Sequence, residues 1–504
     1  MRTGSCENRS NLMVRRGLVS AVTLAVLLIL AGSCASQSRA QTGGWAEPVR
    51  LFESFGWSLY PSIVADAGGN VHVVWCEAGP ELATPCAAIY YAYFDGKSWS
   101  TPVDIVAASY GEIASAPVLG IDGAGTLHLT WLGGFTDRVM YSQAYAPLAG
   151  SARNWLEAEQ VSAESGATAY PDIAVEETGA IHIVYAVQYG TQSGIYHVRS
   201  ADGDVWTAPD AVFSNNADDR MVSEPRLAAD PQGGLHVAWT EAGYPESFPP
   251  SGLRYSRSLD GGDTWHELGS WTGPYSLSGV LAPAAAEVHL VWSGTSEDRF
   301  KFHTWSVDRG TSWSTPTHTS EIGGQEGWPA LAVDRAGDLH LLQVTGENGV
   351  PLTHQVWDAA SWSPAVRLLG QLPGAPYHPW NADVTIGLGN QIHGVVSHAV
   401  EMPTGSDNWQ YDIYYLRGTA SNAPAVEPRP LPAPTSAPKT ATPAAVASKV
   451  TPTPATTLVP GRTESGSVAG EGLAANAALI GALAGGAIVA LVVTVSMLGR
   501  RRRR

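Results

Sequence analysis

One histidine recurs along most of the chain. It sits in an apolar-His-apolar-apolar-aromatic strand at Val71-His72-Val73-Val74-Trp75, Leu127-His128-Leu129-Thr130-Trp131, Ile181-His182-Ile183-Val184-Tyr185, Leu235-His236-Val237-Ala238-Trp239 and Val288-His289-Leu290-Val291-Trp292, with weaker copies at Leu339-His340 and Ile392-His393. Successive histidines are 56, 54, 54, 53, 51 and 53 residues apart. A period of that length, built from short apolar strands, is that of a four-stranded propeller blade. Three other elements recur in phase. An inner strand of the type Pro-x-apolar-Ala-x-Asp precedes the histidine, as in Pro61-Ser62-Ile63-Val64-Ala65-Asp66 and Pro225-Arg226-Leu227-Ala228-Ala229-Asp230. An aromatic strand follows it, as in Ile89-Tyr90-Tyr91, and then a strand opening on Trp, as in Trp99-Ser100-Thr101-Pro102. We call these strands a, b, c and d.

Strands a, b and c each occur seven times, the last c being Ile413-Tyr414-Tyr415. The Trp strand also occurs seven times, but its first copy, Trp45-Ala46-Glu47-Pro48-Val49, precedes every a strand. The expectation is an all-β, seven-bladed propeller over residues 43–417, in which the N-terminal strand becomes the outer strand of the last blade. Such closure removes the open edge that would invite aggregation. Composition agrees: 54 Gly, 18 Trp and 18 Tyr against 8 Phe, with 15% charged residues, describe a turn-rich β protein.

The c–d turns resemble a known family. Ser258-Leu259-Asp260-Gly261-Gly262-Asp263-Thr264-Trp265 fits the Asp-box, S-x-D-x-G-x-T-W, and Ser306-Val307-Asp308-Arg309-Gly310-Thr311-Ser312-Trp313 fits with Ser for Thr. The chain therefore resembles the sialidase-like (BNR-repeat) propellers. The resemblance implies a structural role for Ser258, Asp260, Gly262, Trp265, Ser306, Asp308, Gly310 and Trp313, on the face opposite a sialidase active site. The carboxylate holds turn N–H groups, Gly supplies backbone freedom and Trp packs back onto the blade. Sialidases also carry three substrate-binding arginines, a Tyr–Glu nucleophile pair, an Asp acid/base, six blades and a Phe/Tyr-Arg-Ile-Pro motif. That motif is missing; its nearest relative is Glu224-Pro225-Arg226-Leu227.

What repeats builds the ring, so the seven histidines read as scaffold. Each is expected to be neutral and hydrogen-bonded between blades, to the strand-a Asp or a backbone carbonyl. What breaks the repeat can bind. The d–a and b–c loops share the variable face, and loops on a rigid scaffold carry most binding. Aromatics and carboxylates gather there, a composition suited to sugars, and the candidate binding residues are Trp57, Tyr60, Tyr170, Glu224, Arg226, Trp328 and Trp380. No catalytic residue is assigned. No cofactor or metal motif is read, although the acidic face could hold Ca²⁺ without an EF-type loop. The function expected is a non-catalytic module binding a glycan or an extracellular protein; the alternative is a glycan-active enzyme, either a sialidase-type hydrolase or a polysaccharide lyase.

The ends suggest location. Arg15 and Arg16 precede an apolar run from Gly17 to Gly32, so residues 1–40 read as a signal peptide cleaved after Ala40, with lipidation of Cys34 as the rival. Residues 418–472 are rich in Pro, Ala and Thr and read as a disordered stalk that forms no core. Residues 477–499 carry no charge and are long enough to span a bilayer, and Arg500–Arg504 would stay cytoplasmic. The net charge is −17. Without the leader and the Arg tail the body holds 19 basic against 45 acidic residues, about −26, which argues against a nucleic-acid partner. The expectation is a monomeric, single-pass cell-surface protein. An exported body permits a disulfide between Cys76 and Cys86 across the first b–c loop.

Overall fold

The computed structural model describes residues 44–431, apart from 55, 80–84, 164–167, 218, 245–249, 273–276, 285–286, 295–299, 321–327, 345–351, 370–378, 402–408 and 421–428. The expected leader (1–40), membrane span (477–499), Arg tail and most of the stalk lie outside the described residues. Within them there is no α-helix, and no helix is long and apolar enough to cross a membrane.

The architecture is an all-β propeller. Five four-stranded sheets hold the a, b, c and d strands of repeats two to six. The remaining strands form one eight-stranded sheet, so the described residues show five separate four-stranded blades, not seven. The physical reason is a backbone seam. Trp57, at the start of the first a strand, pairs in parallel with Tyr411 of the last c strand, and Tyr411 N–H donates to the Gly56 carbonyl at 3.0 Å. This seam fuses the first and last repeats into one sheet. The N-terminal strand Val49–Phe52 lies antiparallel to the last c strand, Trp409–Thr419, with Val49 opposite Tyr415.

The inner strands are Trp57–Ala65, Ile113–Ile121, Thr168–Val175, Arg220–Ala229, Leu277–Ala284, Ala330–Val333 and Pro379–Ile386. Each lies beside the next, and the last lies beside the first. The b strands are buried almost throughout, which is why they read as unbroken apolar runs. Hydrophobic clusters fill the space between neighbouring sheets; one joins Val74, Ile89 and Tyr91 of repeat one to Leu119, Leu127 and Trp131 of repeat two.

The repeated histidines work within a sheet, not between sheets as expected. His236 is typical: Nδ1 lies 2.7 Å from the Tyr255 hydroxyl on strand c, and Nε2 lies 3.1 Å from Asp230 at the end of strand a. The strand-c partner is Tyr91, Tyr141, Tyr255 or Tyr415 in four repeats, and His197, His303 or His354 in the other three. Strand b lies between a and c, so its side chain reaches both without leaving the sheet.

Those strand-c rings carry the link to the next repeat. Trp155 meets Tyr91 edge-on, Trp206 meets Tyr141, Trp265 meets His197, Trp313 meets Tyr255, Trp362 meets His303, Trp45 meets His354 and Trp99 meets Tyr415, all T-shaped with centroids 4.7–5.9 Å apart. The Asp-box Trp265 and Trp313 thus each meet a ring of the preceding repeat while also packing with their own blade. Edge-to-face pairs contribute about 0.5–1.5 kcal/mol beyond their buried area. Inside the box, Asp308 Oδ1 accepts the Ser312 N–H at 2.8 Å and Ser306 Oγ accepts the Gly310 N–H at 2.7 Å. Gly310 has φ +81°, and a Cβ there would overlap the Tyr255 hydroxyl. Gly310→Ala is therefore expected to cost about 3 kcal/mol, from left-handed strain and overpacking together; a urea midpoint unchanged from wild type would refute it.

Two further features differ from or extend the sequence reading. Cys76 and Cys86 are joined as a disulfide. The expected stalk is not wholly free of the ring: Ala420 is buried, Arg429 N–H donates to the Ala67 carbonyl at 2.9 Å, and Leu431 packs on the cluster between repeats one and two. A Cβ on Gly125 would meet Leu431 at 2.8 Å, so the apolar Leu fits a notch that glycine leaves open.

Candidate functional site

Six of the seven inner strands lose register a few residues from their start. The shifts fall between Leu59 and Ser62, Ser115 and Val118, Ala169 and Asp172, Ser223 and Arg226, Leu277 and Val280, and Pro379 and Ala382. In four consecutive repeats the bulged residue precedes a proline and has positive φ: Tyr60 (52°), Ala116 (49°), Tyr170 (48°) and Glu224 (52°). A bulky residue in the left-handed region before proline is disfavoured twice. Bulges re-aim side chains, and strain of this kind collects at functional sites. The sequence signal was present: Tyr60-Pro61, Ala116-Pro117, Tyr170-Pro171, Glu224-Pro225 and Trp328-Pro329 share one phase of the repeat.

The bulges surround a cavity of about 170 Å³ lined by residues of all seven inner segments. Tyr60, Tyr170, Arg226 and Trp328 are brought together there. The Trp328 ring lies 5.8 Å from Tyr60 and 6.1 Å from Tyr170, centroid to centroid, and the Arg226 guanidinium stands 4.8 Å over it. Glu224 adjoins the group, and its charge adds to burial in pushing the Tyr60 phenol up to about 12 and the Tyr170 phenol well above its usual range. Both phenols are neutral donors at physiological pH.

Two other candidates are placed differently. Trp57 does not line the cavity; it stacks on Tyr411 at the seam, 5.3 Å away. Trp380 lies in the last inner strand, one residue before Asn381, and its side chain lies outside what is described.

Three lining residues escaped the sequence reading: Asp172, Asn381 and Asp383. Asp172 Oδ2 accepts the Leu227 N–H at 2.8 Å, and Asp383 Oδ2 accepts the Ile63 N–H at 2.9 Å, so each reaches into the next repeat. Burial raises both carboxyls, Asp383 to about 6, while the Arg226 charge opposes the rise at each. Asn381 is 3% exposed, and neither its Nδ2 nor its Oδ1 has a hydrogen-bonding partner among the described residues. Asp172 occupies the variable position of the Pro-x-apolar strand, as Ser62 and Arg226 do, and that position could have been searched for it.

Residues 115–272 match the model of a BNR repeat-containing family. With the ring, the Asp-boxes and that match together, the identity of the fold is decided. The chain is a β-propeller that carries a BNR-repeat segment.

No curated protein matches this BNR propeller in sequence. Among solved structures, it is similar to a polysaccharide lyase of family PL25, an ulvan lyase bound to -[GlcA(1-4)Rha3S]-. The identity is 11% over 74% of this chain and 96% of that one, with a TM-score of 0.52. It is also similar to a Hadza microbial sialidase, at 14% identity over 69% of this chain and 76% of that one, with a TM-score of 0.45. The NanB sialidase from Streptococcus pneumoniae aligns at 11% identity over 75% of this chain and 71% of that one, with a TM-score of 0.43. The likeness to the lyase concerns the fold alone. In the BNR propeller described here, Arg226 is the arginine of the cavity lining. Arg138 donates to Gln160 at 2.7 Å, and Arg220 faces Glu241 at 3.6 Å. Among the described residues, no cluster of three or more His, Cys, Asp or Glu is arranged to hold a metal ion.

Proposed function

We propose that this chain is an exported, membrane-anchored glycan-binding module, and that its axial cavity holds the ligand without transforming it. The observation that carries this reading is the cavity itself. Three aromatic rings and one guanidinium gather there, and a buried amide has no hydrogen-bonding partner among the described residues. Aromatic faces with a few convergent polar groups are the usual make-up of a ligand site. The neutral phenols of Tyr60 and Tyr170 suit donation to sugar hydroxyls better than nucleophilic attack. The fold shared with a polysaccharide lyase is consistent with a glycan ligand but does not fix one.

A second reading has its own support. A buried carboxyl raised to about 6, such as Asp383, lies in the range of a general acid, so the site could belong to a glycan-active enzyme. Incubating the full-length protein with a glycan library separates the two. We expect captured glycans to be recovered intact, with Asp383→Asn changing affinity only. Release of new reducing ends or unsaturated uronates by wild type, lost in Asp383→Asn, would establish the enzyme instead.

The anchor rests on residues 1–40 and 477–499 as signal and span; protease digestion of intact cells that left the body untouched would overturn it. We also read the eight-stranded sheet as two blades, which makes a ring of seven. Seven inner segments around one cavity and seven edge-on Trp contacts support that count.

A further inference from the structure

We propose that the axial cavity takes the uncharged terminal sugar of a glycan, selected through the amide of Asn381, and turns away glycans whose terminal sugar carries a carboxylate or a sulfate. This rests on the reading of the cavity as a glycan site and names the class of sugar it accepts.

Size sets the first limit. Pockets that enclose drug-sized ligands start at about 300 Å³, and this one holds about 170 Å³. It has room for one sugar unit, not for a run of them. The lining segments converge from every side of the ring, and Leu227, Leu281 and Leu331 complete the lining with apolar surface. A chain passing through would need two exits. A chain end needs one.

Charge sets the second. The cavity has a single guanidinium in its lining, Arg226, against the carboxyls of Asp172 and Asp383, with Glu224 close by. Arg226 has no hydrogen-bonding partner for its buried Nε among the described residues, but its charge is drawn on by both acids. Its guanidinium stands over the Trp328 ring. An anionic sugar would therefore enter a site whose cation is shared by two acids, in a partly water-excluded space where charges interact more strongly than in bulk. The body's large negative charge works in the same direction.

Hydrogen bonding supplies the attraction. Asn381 offers two N–H donors and a carbonyl acceptor, almost wholly buried and without a partner among the described residues. A buried amide left unpaired is costly, so a ligand that pairs it recovers that cost. Adjacent sugar hydroxyls, each both donor and acceptor, fit a neutral amide, whereas a carboxylate or sulfate can only accept and leaves the amide carbonyl unpaired. The faces of Tyr60, Tyr170 and Trp328 meet the apolar C–H surface of the same unit.

The test uses the full-length protein in detergent micelles and an array of glycans that share one core and differ only in the terminal unit: a neutral hexose, the matching hexuronate or the sulfated hexose. We expect the neutral cap to bind at least tenfold more tightly at pH 7. Asn381→Leu, close in size but without the amide, should lose at least tenfold for the neutral cap. Equal or tighter binding of the uronate or sulfate cap overturns the proposal while leaving a glycan site in place. Full affinity in Asn381→Leu overturns the role of the amide. Binding of no glycan with any cap sinks the glycan reading as a whole. If Asn381→Leu does not fold, the discrimination between caps by wild type decides alone.

Discussion

Taking the protein from pH 7 to pH 4 should strip it of most of its stability. Eight buried histidines have pKa values held below the ordinary 6.5: His182, His197, His236, His289, His303, His340, His354 and His393. Burial is the largest cause at every one. His197, His303 and His354 are lowered to about 3 and His393 to about 4. The sign follows from linkage. Between 6.5 and these lowered values the unfolded chain binds protons that the folded one refuses, so stability falls as the pH falls. At about 1.4 kcal/mol per unit, His393 alone removes about 3 kcal/mol by pH 4. Some carboxyls act in the opposite sense. Asp383, raised to about 6, stabilises the fold as the pH drops from 6 to 3.8, and Asp172, Glu77, Asp137 and Asp412 are also raised. Asp383 roughly cancels one histidine. The eight histidines outnumber the five acids, so the net loss should reach several kcal/mol, comparable with the whole stability of an ordinary domain. Urea midpoints at pH 7, 5.5 and 4.5 measure it. A midpoint that stays flat or rises would show that the histidines are not held neutral.

The second large effect concerns closure of the ring. Arg50, on the N-terminal strand, places a guanidinium nitrogen 2.5 Å from Asp412 Oδ2 on the last c strand. Asp412 is fully buried and also accepts the Ser54 N–H at 3.0 Å. Removing one partner of a buried pair leaves an uncompensated charge and costs about 3–5 kcal/mol. Arg50 is still about a third exposed, so Arg50→Ala should fall at the low end, about 3 kcal/mol. Adding Asp412→Asn should restore part of the loss, because the stranded charge is gone. If Arg50→Ala matches wild type, the strand is held by its backbone bonds and Trp45 alone.

The fold was legible because a ring repeats its instructions. Seven phased copies of the histidine strand average out the noise in any one copy, and the displaced Trp45 strand pointed to its seat beside the last c strand. The seam was not legible. The pairing of Trp57 with Tyr411 is made by backbone groups that every residue carries, and it depends on how closely the first and last repeats approach. The same seam misplaced Trp57 as a binding residue, since a loop-face aromatic stacked on a neighbour looks identical in sequence to one facing a ligand. Tyr60, Tyr170, Arg226 and Trp328 were found because they depart from the repeat at bulged positions. Asp172, Asn381 and Asp383 were missed because a polar residue on a strand reads as solvent-facing. Only the convergence of all the inner segments on one axis turns it inward.

The docking of Leu431 bears on where the cavity looks. Arg429 and Leu431 are held at the a–b turns of repeats one and two. Tyr60 lies near the opposite end of its inner strand, which runs from Trp57 to Ala65 just before the Asp66 turn. At about 3.3 Å per residue Tyr60 stands roughly 17 Å from Ala65, beside the turn. The chain thus leaves the ring on its underside. Its sequence expects residues 432–472, the rest of the stalk, to be an extended leash, and at about 3.1 Å per residue those residues could pay out roughly 130 Å. On the proposed anchor, a ring tied from below by such a leash would turn its mouth away from its own membrane. It would meet sugars on a facing surface, another cell or a matrix, sooner than those beside its own root.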